Sequence, residues 1–168
     1  MKKTRKILTA AMLAALTCVA TLINIPSVDG YKNLGDCIVI LSGCILGPAF
    51  GAAAAGIGSA LADLILGYAY YIPGTLVIKA LMGCLMGAAY LAAGRRCSLK
   101  LLGAMLVSEI IMVAGYFAYS ALLLGQFEAA VLSIWGNVLQ GVIGIVGAAL
   151  ILKAFEKNNT ISKFLDRK

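Results

Sequence analysis

The 168-residue sequence has no histidine and few charged side chains. Only 12% of its residues are Asp, Glu, Lys or Arg, whereas 62% are hydrophobic. A soluble domain of this length has about a quarter of its residues charged. The chain therefore has too little polar surface to cover a water-soluble globule, and we expect an all-α integral membrane protein embedded in a lipid bilayer.

Several missing motifs exclude kinds of chemistry. The sequence contains no G-x-x-x-x-G-K-[ST] phosphate loop and no G-x-S-x-G or H-E-x-x-H pattern. Its five cysteines form no C-x-x-C pair, and without histidine the usual zinc ligand sets are missing. We expect no enzyme activity, no metal site and no cofactor, so the energy for any uptake would come from a coupled ion or from another subunit.

Long apolar runs, by contrast, are abundant. A membrane-spanning helix needs about 20 apolar residues, and six segments meet or approach that length. The predicted helices of this single membrane domain (1–168) cover about residues 7–25, 34–50, 52–70, 74–93, 99–124 and 127–155, followed by a basic cytoplasmic tail at 156–168. The boundary between the second and third helices rests only on the pair Gly47-Pro48.

The basic residues indicate the orientation of the six-transmembrane-helix bundle. Twelve of the 14 Lys and Arg residues lie in the N-terminal tail, in the GRRCSLK junction or at the C-terminal end. An even number of spans places all three groups on the cytoplasmic side, as the positive-inside rule requires. We therefore expect both termini to be cytoplasmic, and we ascribe the net charge of +7 to topology and not to nucleic acid binding.

One acid and one base, Asp63 and Lys79, lie inside predicted membrane helices. At 1.5 Å per residue, Lys79 lies about 9 Å below the outer end of its helix, and Asp63 lies about 10 Å below the outer end of the preceding helix. Neighbouring antiparallel helices bring the two charges to the same depth. Because a lone charge in hydrocarbon is costly, we predict a structural ion pair, which leaves open a second role for Lys79 in holding a ligand.

Other polar residues gather in the same outer half of the bundle. They are Asn33, Glu109, Tyr116, Asn137 and Gln140, with Trp135 close by. The cytoplasmic halves of these helices hold almost no polar residues, whereas a channel needs a polar lining across its full depth. The shared depth therefore predicts a binding pocket open to the outside, although a single amide in a membrane helix can also serve only to bond two helices together.

Three segments carry a resemblance to a known family. GYKNLGD, LGPAFGAAAAGIGSALADLILGY and YYIPGTLVIKALMG resemble the substrate-binding S component of energy-coupling factor (ECF) transporters, in the branch for riboflavin, pyridoxine and hydroxymethylpyrimidine. The resemblance implies a multi-pass protein of the bacterial cytoplasmic membrane that binds a vitamin with high affinity from the outside. It also implies an ABC-type importer, in which a coupling transmembrane subunit and two cytoplasmic ATPases are the partners and only these partners use ATP.

The resemblance also implies roles for particular residues. The small-residue docking motif of the first helix would fall on Ala10 and Ala14 or on Ala11 and Ala15. The first outer loop, Ser27 to Asn33 with Tyr31, would close over the substrate. The pocket would draw on that loop and on the fourth to sixth helices, which agrees with the depth argument for Lys79, Glu109, Tyr116, Trp135, Asn137 and Gln140.

Two functional hypotheses are compatible with the sequence. The alternative to an S component is a stand-alone proton-coupled secondary transporter or small channel, in which Asp63 and Glu109 would relay protons. The sequence shows no inverted repeat of the kind that many such transporters contain.

Overall fold

The protein is a bundle of six helices, seen in a computed structural model that describes residues 3–27 and 30–158. The helices are α1 (Lys3–Leu22), α2 (Gly35–Leu46), α3 (Pro48–Ile65), α4 (Ile72–Ala92), α5 (Leu99–Ala118) and α6 (Phe127–Lys157). Within the described residues, five helical segments are long and apolar enough to cross a membrane. The predicted six-helix membrane bundle is thereby confirmed, with α2 as its short member.

A β-hairpin, which was not predicted, joins α1 to α2. Strands β1 (Asn24–Ser27) and β2 (Gly30–Asn33) pair antiparallel, with Asn24 opposite Asn33. The predicted extension of the first helix to residue 25 is wrong, because α1 ends at Leu22. The chain pairs in the hairpin from Asn24 onward, and Pro26 disfavours helical backbone at Ile25.

The break between α2 and α3 lies at the predicted pair. Gly47 has a φ of +79°, a left-handed conformation that glycine adopts without penalty, and Pro48 opens α3. The 12 residues of α2 extend about 18 Å. The predicted second helix, which ran to residue 50, is therefore too long, because the turn comes three residues earlier.

Small residues allow α2, α3 and α4 to pack with their backbones in contact. A Cβ placed on Gly43 would lie 2.4 Å from the carbonyl oxygen of Gly83, and one on Gly51 would lie 2.6 Å from the Cα of Gly43. No side chain fits in these gaps. The three helices therefore pack closely, in the manner of small-residue interfaces in membranes.

The remaining connections are short. A 3-10 turn, Ala69–Tyr71, joins α3 to α4, and a π-helical turn, Tyr119–Leu123, extends α5. The fourth to sixth helices lie within about two residues of the predicted bounds once that turn is counted with α5. Of the predicted basic tail, residues 159–168 lie outside the described part of the chain.

The two ends of the bundle differ in polarity. At the end that holds the α4–α5 junction, the core is a cluster of buried apolar side chains that includes Ile40, Met86, Leu101, Met105 and Leu152. The positive-inside rule assigns this end to the cytoplasm. Most of the buried polar side chains lie toward the opposite end, beside the hairpin, and this is where the candidate site is found.

Candidate ligand-binding site

A cavity lies between the hairpin and the outer ends of the helices. It is lined by Thr21, Lys32, Asn33, Ser59, Asp63, Tyr71, Thr75, Lys79, Tyr116, Asn137 and Gln140. Every one of these side chains carries a polar atom, which is unusual inside a membrane bundle. The cavity encloses about 450 Å³ of empty space, including the part open to solvent.

An ion pair between Lys79 and Asp36 lies beside the cavity. The Lys79 ammonium donates to Asp36 Oδ1, and the two side chains are 3% and 1% exposed. The prediction that Asp63 is the carboxylate partner of Lys79 is therefore wrong, although Asp63 lines the same cavity. Matching depth on two neighbouring helices does not fix the rotation of either helix about its axis, and α4 presents Lys79 to α2.

Gln140 connects this ion pair to the hairpin. Its Nε2 donates to Asp36 Oδ2 at 2.6 Å, and its Oε1 accepts from the backbone N–H of Asn33 at 2.8 Å. The Asn33 side chain in turn accepts from the N–H of Gly35 at 2.8 Å, at the start of α2. A chain of polar contacts thus runs from strand β2 through α6 and α2 to Lys79 on α4.

Aromatic rings form one side of the cavity. The Tyr116 ring lies 5.5 Å from the Lys79 ammonium, close enough for a cation–π interaction, and its hydroxyl donates to Thr75 Oγ1 at 3.1 Å. Tyr71 meets Tyr116 edge to face at 6.3 Å between ring centroids, and the Tyr71 hydroxyl shares a 2.8 Å hydrogen bond with Ser120. These bonds hold the rings in fixed orientations at the cavity wall.

The structure brings most of the predicted site residues together. Asn33, Lys79, Tyr116, Asn137 and Gln140 all line the cavity. The backbone of Tyr31 lies in β2, and its side chain lies outside the part of the chain that the structure describes.

Trp135 is not part of the cavity lining. Its side chain is 81% exposed on the outer face of α6, so the prediction that its ring contributes to the pocket is wrong. Trp135 lies two residues before Asn137, and residues at this spacing point to different faces of a helix. Trp135 is therefore close in sequence to Asn137 and Gln140, but its ring does not lie in the site.

Glu109 is also placed differently from the prediction. It is 4% exposed, but it lines an apolar groove between α5 and α6 and not the polar cavity. Its carboxyl group packs against Gly141 and Gly144 of α6. The i, i+7 spacing put Glu109 on the face of Tyr116, but seven residues also separate the two side chains by about 10 Å along the helix axis.

Five cavity residues were missed from the sequence: Thr21, Lys32, Ser59, Tyr71 and Thr75. Two of them had a usable signal, because Ser59 precedes Asp63 by four residues and Thr75 precedes Lys79 by four. Residues at this spacing share a helix face. Thr21 lies in the last turn of α1, and Lys32 and Tyr71 lie in the hairpin and the 3-10 turn, which were not predicted.

The alanines of α1 differ in exposure. Ala11 and Ala15 are exposed, whereas Ala14 packs against α3, where a Cβ on Gly58 would lie 2.4 Å from its carbonyl oxygen. Between these alanines, Met12 is 65% exposed. Of the two predicted docking pairs, Ala11 with Ala15 is the one on the open face of the helix.

A six-helix membrane bundle with a closed apolar end and a polar cavity at the other defines a membrane-embedded small-molecule binding protein. The model of one protein family, the "ECF-type riboflavin transporter, S component", matches residues 1–157. The chain belongs to this family. It is therefore a multi-pass, substrate-binding component of a vitamin transporter in the cytoplasmic membrane and not an enzyme.

Two further comparisons also cover most of the chain. A protein of Pyrococcus woesei described as "Uncharacterized protein in gap 3'region" is 36% identical over 141 residues, which are 82% of this chain and 93% of that protein. A solved chain described as "Structure and mechanism of the S component of a bacterial ECF transporter" superimposes with a TM-score of 0.63 and 18% identity, covering 99% of this chain and 100% of that chain. At this identity the likeness concerns the fold.

Proposed function

We propose that the protein captures a vitamin from the outer side of the membrane in the polar cavity and delivers it as the S component of an ATP-driven ECF importer. The observation that carries the proposal is the continuous network from the hairpin through Gln140 and Asp36 to Lys79 at the cavity. This network connects the hairpin at the outer side of the cavity to the buried ammonium group of Lys79.

The residues of the cavity wall support this substrate class. The amides of Asn137 and Gln140 suit hydrogen bonds to ring heteroatoms or hydroxyls, and the edges of Tyr71 and Tyr116 suit contact with a flat ring. Riboflavin, which the family description names, combines such a ring with a hydroxylated side chain. It is the first ligand to test, ahead of pyridoxine and hydroxymethylpyrimidine.

Buried apolar side chains fill the cytoplasmic end of the bundle. This favours a protein that captures its substrate from outside, because a channel needs a continuous polar path. Delivery then needs a partner that moves or opens the bundle. We assign this task to a coupling transmembrane subunit with two cytoplasmic ATPases, docked on the face of α1 that exposes Ala11 and Ala15.

A ligand panel tests the proposal. Purified protein in lipid nanodiscs is heated with each B-vitamin and precursor in the absence of ATP, and the unfolding midpoint is recorded. One vitamin should raise the midpoint in a saturable manner. Asn137→Ala should lose the shift, and Val138→Ala, which alters the neighbouring outward residue (40% exposed), should keep it. A panel without any shift would contradict the proposal.

A further inference from the structure

Glu109 is a buried acid that neither the polar cavity nor the ion pair uses. Its side chain is 4% exposed, and each carboxyl oxygen exposes less than 1 Å². Neither oxygen has a hydrogen-bond partner among the residues that the structure describes. The two oxygens are therefore closed off from water, and a negative charge on them would have no solvation.

Two glycines of α6 lie against this carboxyl group. A Cβ on Gly141 would lie 3.0 Å from Glu109 Oε2, and one on Gly144 would lie 3.4 Å from Oε1. The Cβ position on Gly144 also lies 2.9 Å from the Cβ of Asp36. Asp36 of α2 and Glu109 of α5 therefore approach the same glycine, and their carboxyl groups are close neighbours.

The charged side chains around Glu109 leave it without a counter-charge. Lys79 of α4 is already neutralised by Asp36, since the two form a buried ion pair. The polar cavity adds one charge of each sign, from Asp63 and Lys32. An ionised Glu109 would therefore be an excess negative charge inside the bundle.

The two helices that enclose Glu109 bring no positive charge close to it. Helix α5 has no Lys or Arg after Lys100, and α6 has none before Lys153. A metal ion needs several ligands, and the described part of the chain contains no group of three Cys, Asp or Glu side chains that could hold one. Because a carboxylate without a counter-charge is far more costly in hydrocarbon than the uncharged acid, a proton is the cation that fits.

We propose that Glu109 is a buried proton-binding site, which holds one proton at neutral pH while Asp36 carries the charge that balances Lys79. The two acids differ because Asp36 accepts from Lys79 on one oxygen and from Gln140 on the other, whereas Glu109 has neither donor. They compete for one ammonium group, and the proton stays on the acid that lacks it. Glu109 does not line the polar cavity, so the proton site does not depend on which vitamin is bound.

Infrared difference spectroscopy tests this proposal, because a protonated carboxyl group has a carbonyl stretch that a carboxylate lacks. The full chain is measured at neutral pH in dodecyl maltoside, a detergent without a carbonyl group. The wild type should show the band of a buried protonated acid, and Glu109→Gln should lose it. Glu128→Gln, which changes an exposed carboxyl group at the start of α6, is the matched control and should keep the band. Identical carbonyl regions in the wild type and in Glu109→Gln, shown by circular dichroism to be folded, would overturn the proposal.

Asp36→Asn provides a second variant that leaves Glu109 intact. It removes the carboxylate that holds Lys79, and Glu109 lies within electrostatic range of this ammonium group. Glu109 should then release its proton to the solvent and supply the missing negative charge, so the carbonyl band should disappear. A band of full intensity in the folded Asp36→Asn variant would overturn the proposal. Vitamin binding is measured separately, so a protein that binds no vitamin but shows the band would contradict the proposed function and leave the proton site supported.

Discussion

Gln140 and Asp36 are joined by a 2.6 Å hydrogen bond between α6 and the first turn of α2, although 104 residues separate them. The same Gln140 side chain accepts from the Asn33 backbone in the hairpin. Because Asp36 also holds Lys79, one amide side chain links the outer connection of the protein to its buried charge pair. The first prediction concerns this amide.

Gln140→Leu should weaken both stability and vitamin binding. The substitution leaves one Asp36 oxygen and the Asn33 N–H without their partner, and each unsatisfied buried group costs about 1–3 kcal/mol. Unfolding in mild detergent, followed by circular dichroism, measures the loss, and Leu139→Ala on the exposed face (62% exposed) is the matched control. Equal midpoints for Gln140→Leu and the control would contradict the role of Gln140.

The carboxylate partner of Lys79 can be identified by a double-mutant cycle. Lys79→Met alone should destabilise the protein by about 3–5 kcal/mol, because it leaves the buried Asp36 without its counter-charge. Adding Asp36→Asn should recover part of this loss, whereas adding Asp63→Asn should recover less. A larger coupling energy for Asp63 with Lys79 than for Asp36 with Lys79 would restore the pairing that depth alone predicted.

Close backbone packing of α4 against α3 depends on glycine. Gly83→Val should prevent proper assembly of the bundle, because even a Cβ at this position would lie 2.6 Å from the carbonyl oxygen of Gly51. Gly103→Ala on α5, where a Cβ meets nothing within 4 Å, should leave stability unchanged or raise it by up to about 1 kcal/mol. Size-exclusion profiles and unfolding midpoints of the two variants would decide, and similar profiles would speak against tight packing at Gly83.

The exposed alanines of α1 should be needed for partner association only. Ala11→Trp with Ala15→Trp blocks close approach of another helix, so the variant should no longer co-purify with an ECF coupling module while it still binds vitamin. Ala11→Ser with Ala15→Ser, which keeps both side chains small, serves as the control. Undiminished co-purification of the double variant would place the docking surface elsewhere.

Some features of this fold could be predicted from the sequence, because they leave a clear sequence pattern, and others could not. Hydropathy and basic residues predicted the six helices, because the bilayer imposes length and charge rules on every span. The hairpin was not predicted, since four-residue strands inside a polar connection leave no periodic pattern. Gly47-Pro48 predicted the α2–α3 turn, because both residues have strong backbone preferences.

The depth of the site residues in the membrane could be predicted from the sequence, but the direction in which each side chain points could not. Asn137, Gln140 and Lys79 were placed correctly, because each lies on the polar side of its helix. Trp135 and Glu109 share their depth but face the lipid and the α5–α6 groove. The rotation of a helix about its axis is set by packing against its neighbours, and a single sequence gives this only indirectly.

The most direct measurement is an isothermal titration of riboflavin, or of the vitamin that the panel identifies, into the purified protein without ATP. The proposed function predicts saturable binding of one vitamin per chain in the wild type. It also predicts a loss of at least about tenfold in affinity when Asn137 is replaced by Ala, which removes a hydrogen-bonding group from the cavity. No saturable binding of any vitamin, or an unchanged affinity in the folded Asn137→Ala variant, would contradict capture in the polar cavity.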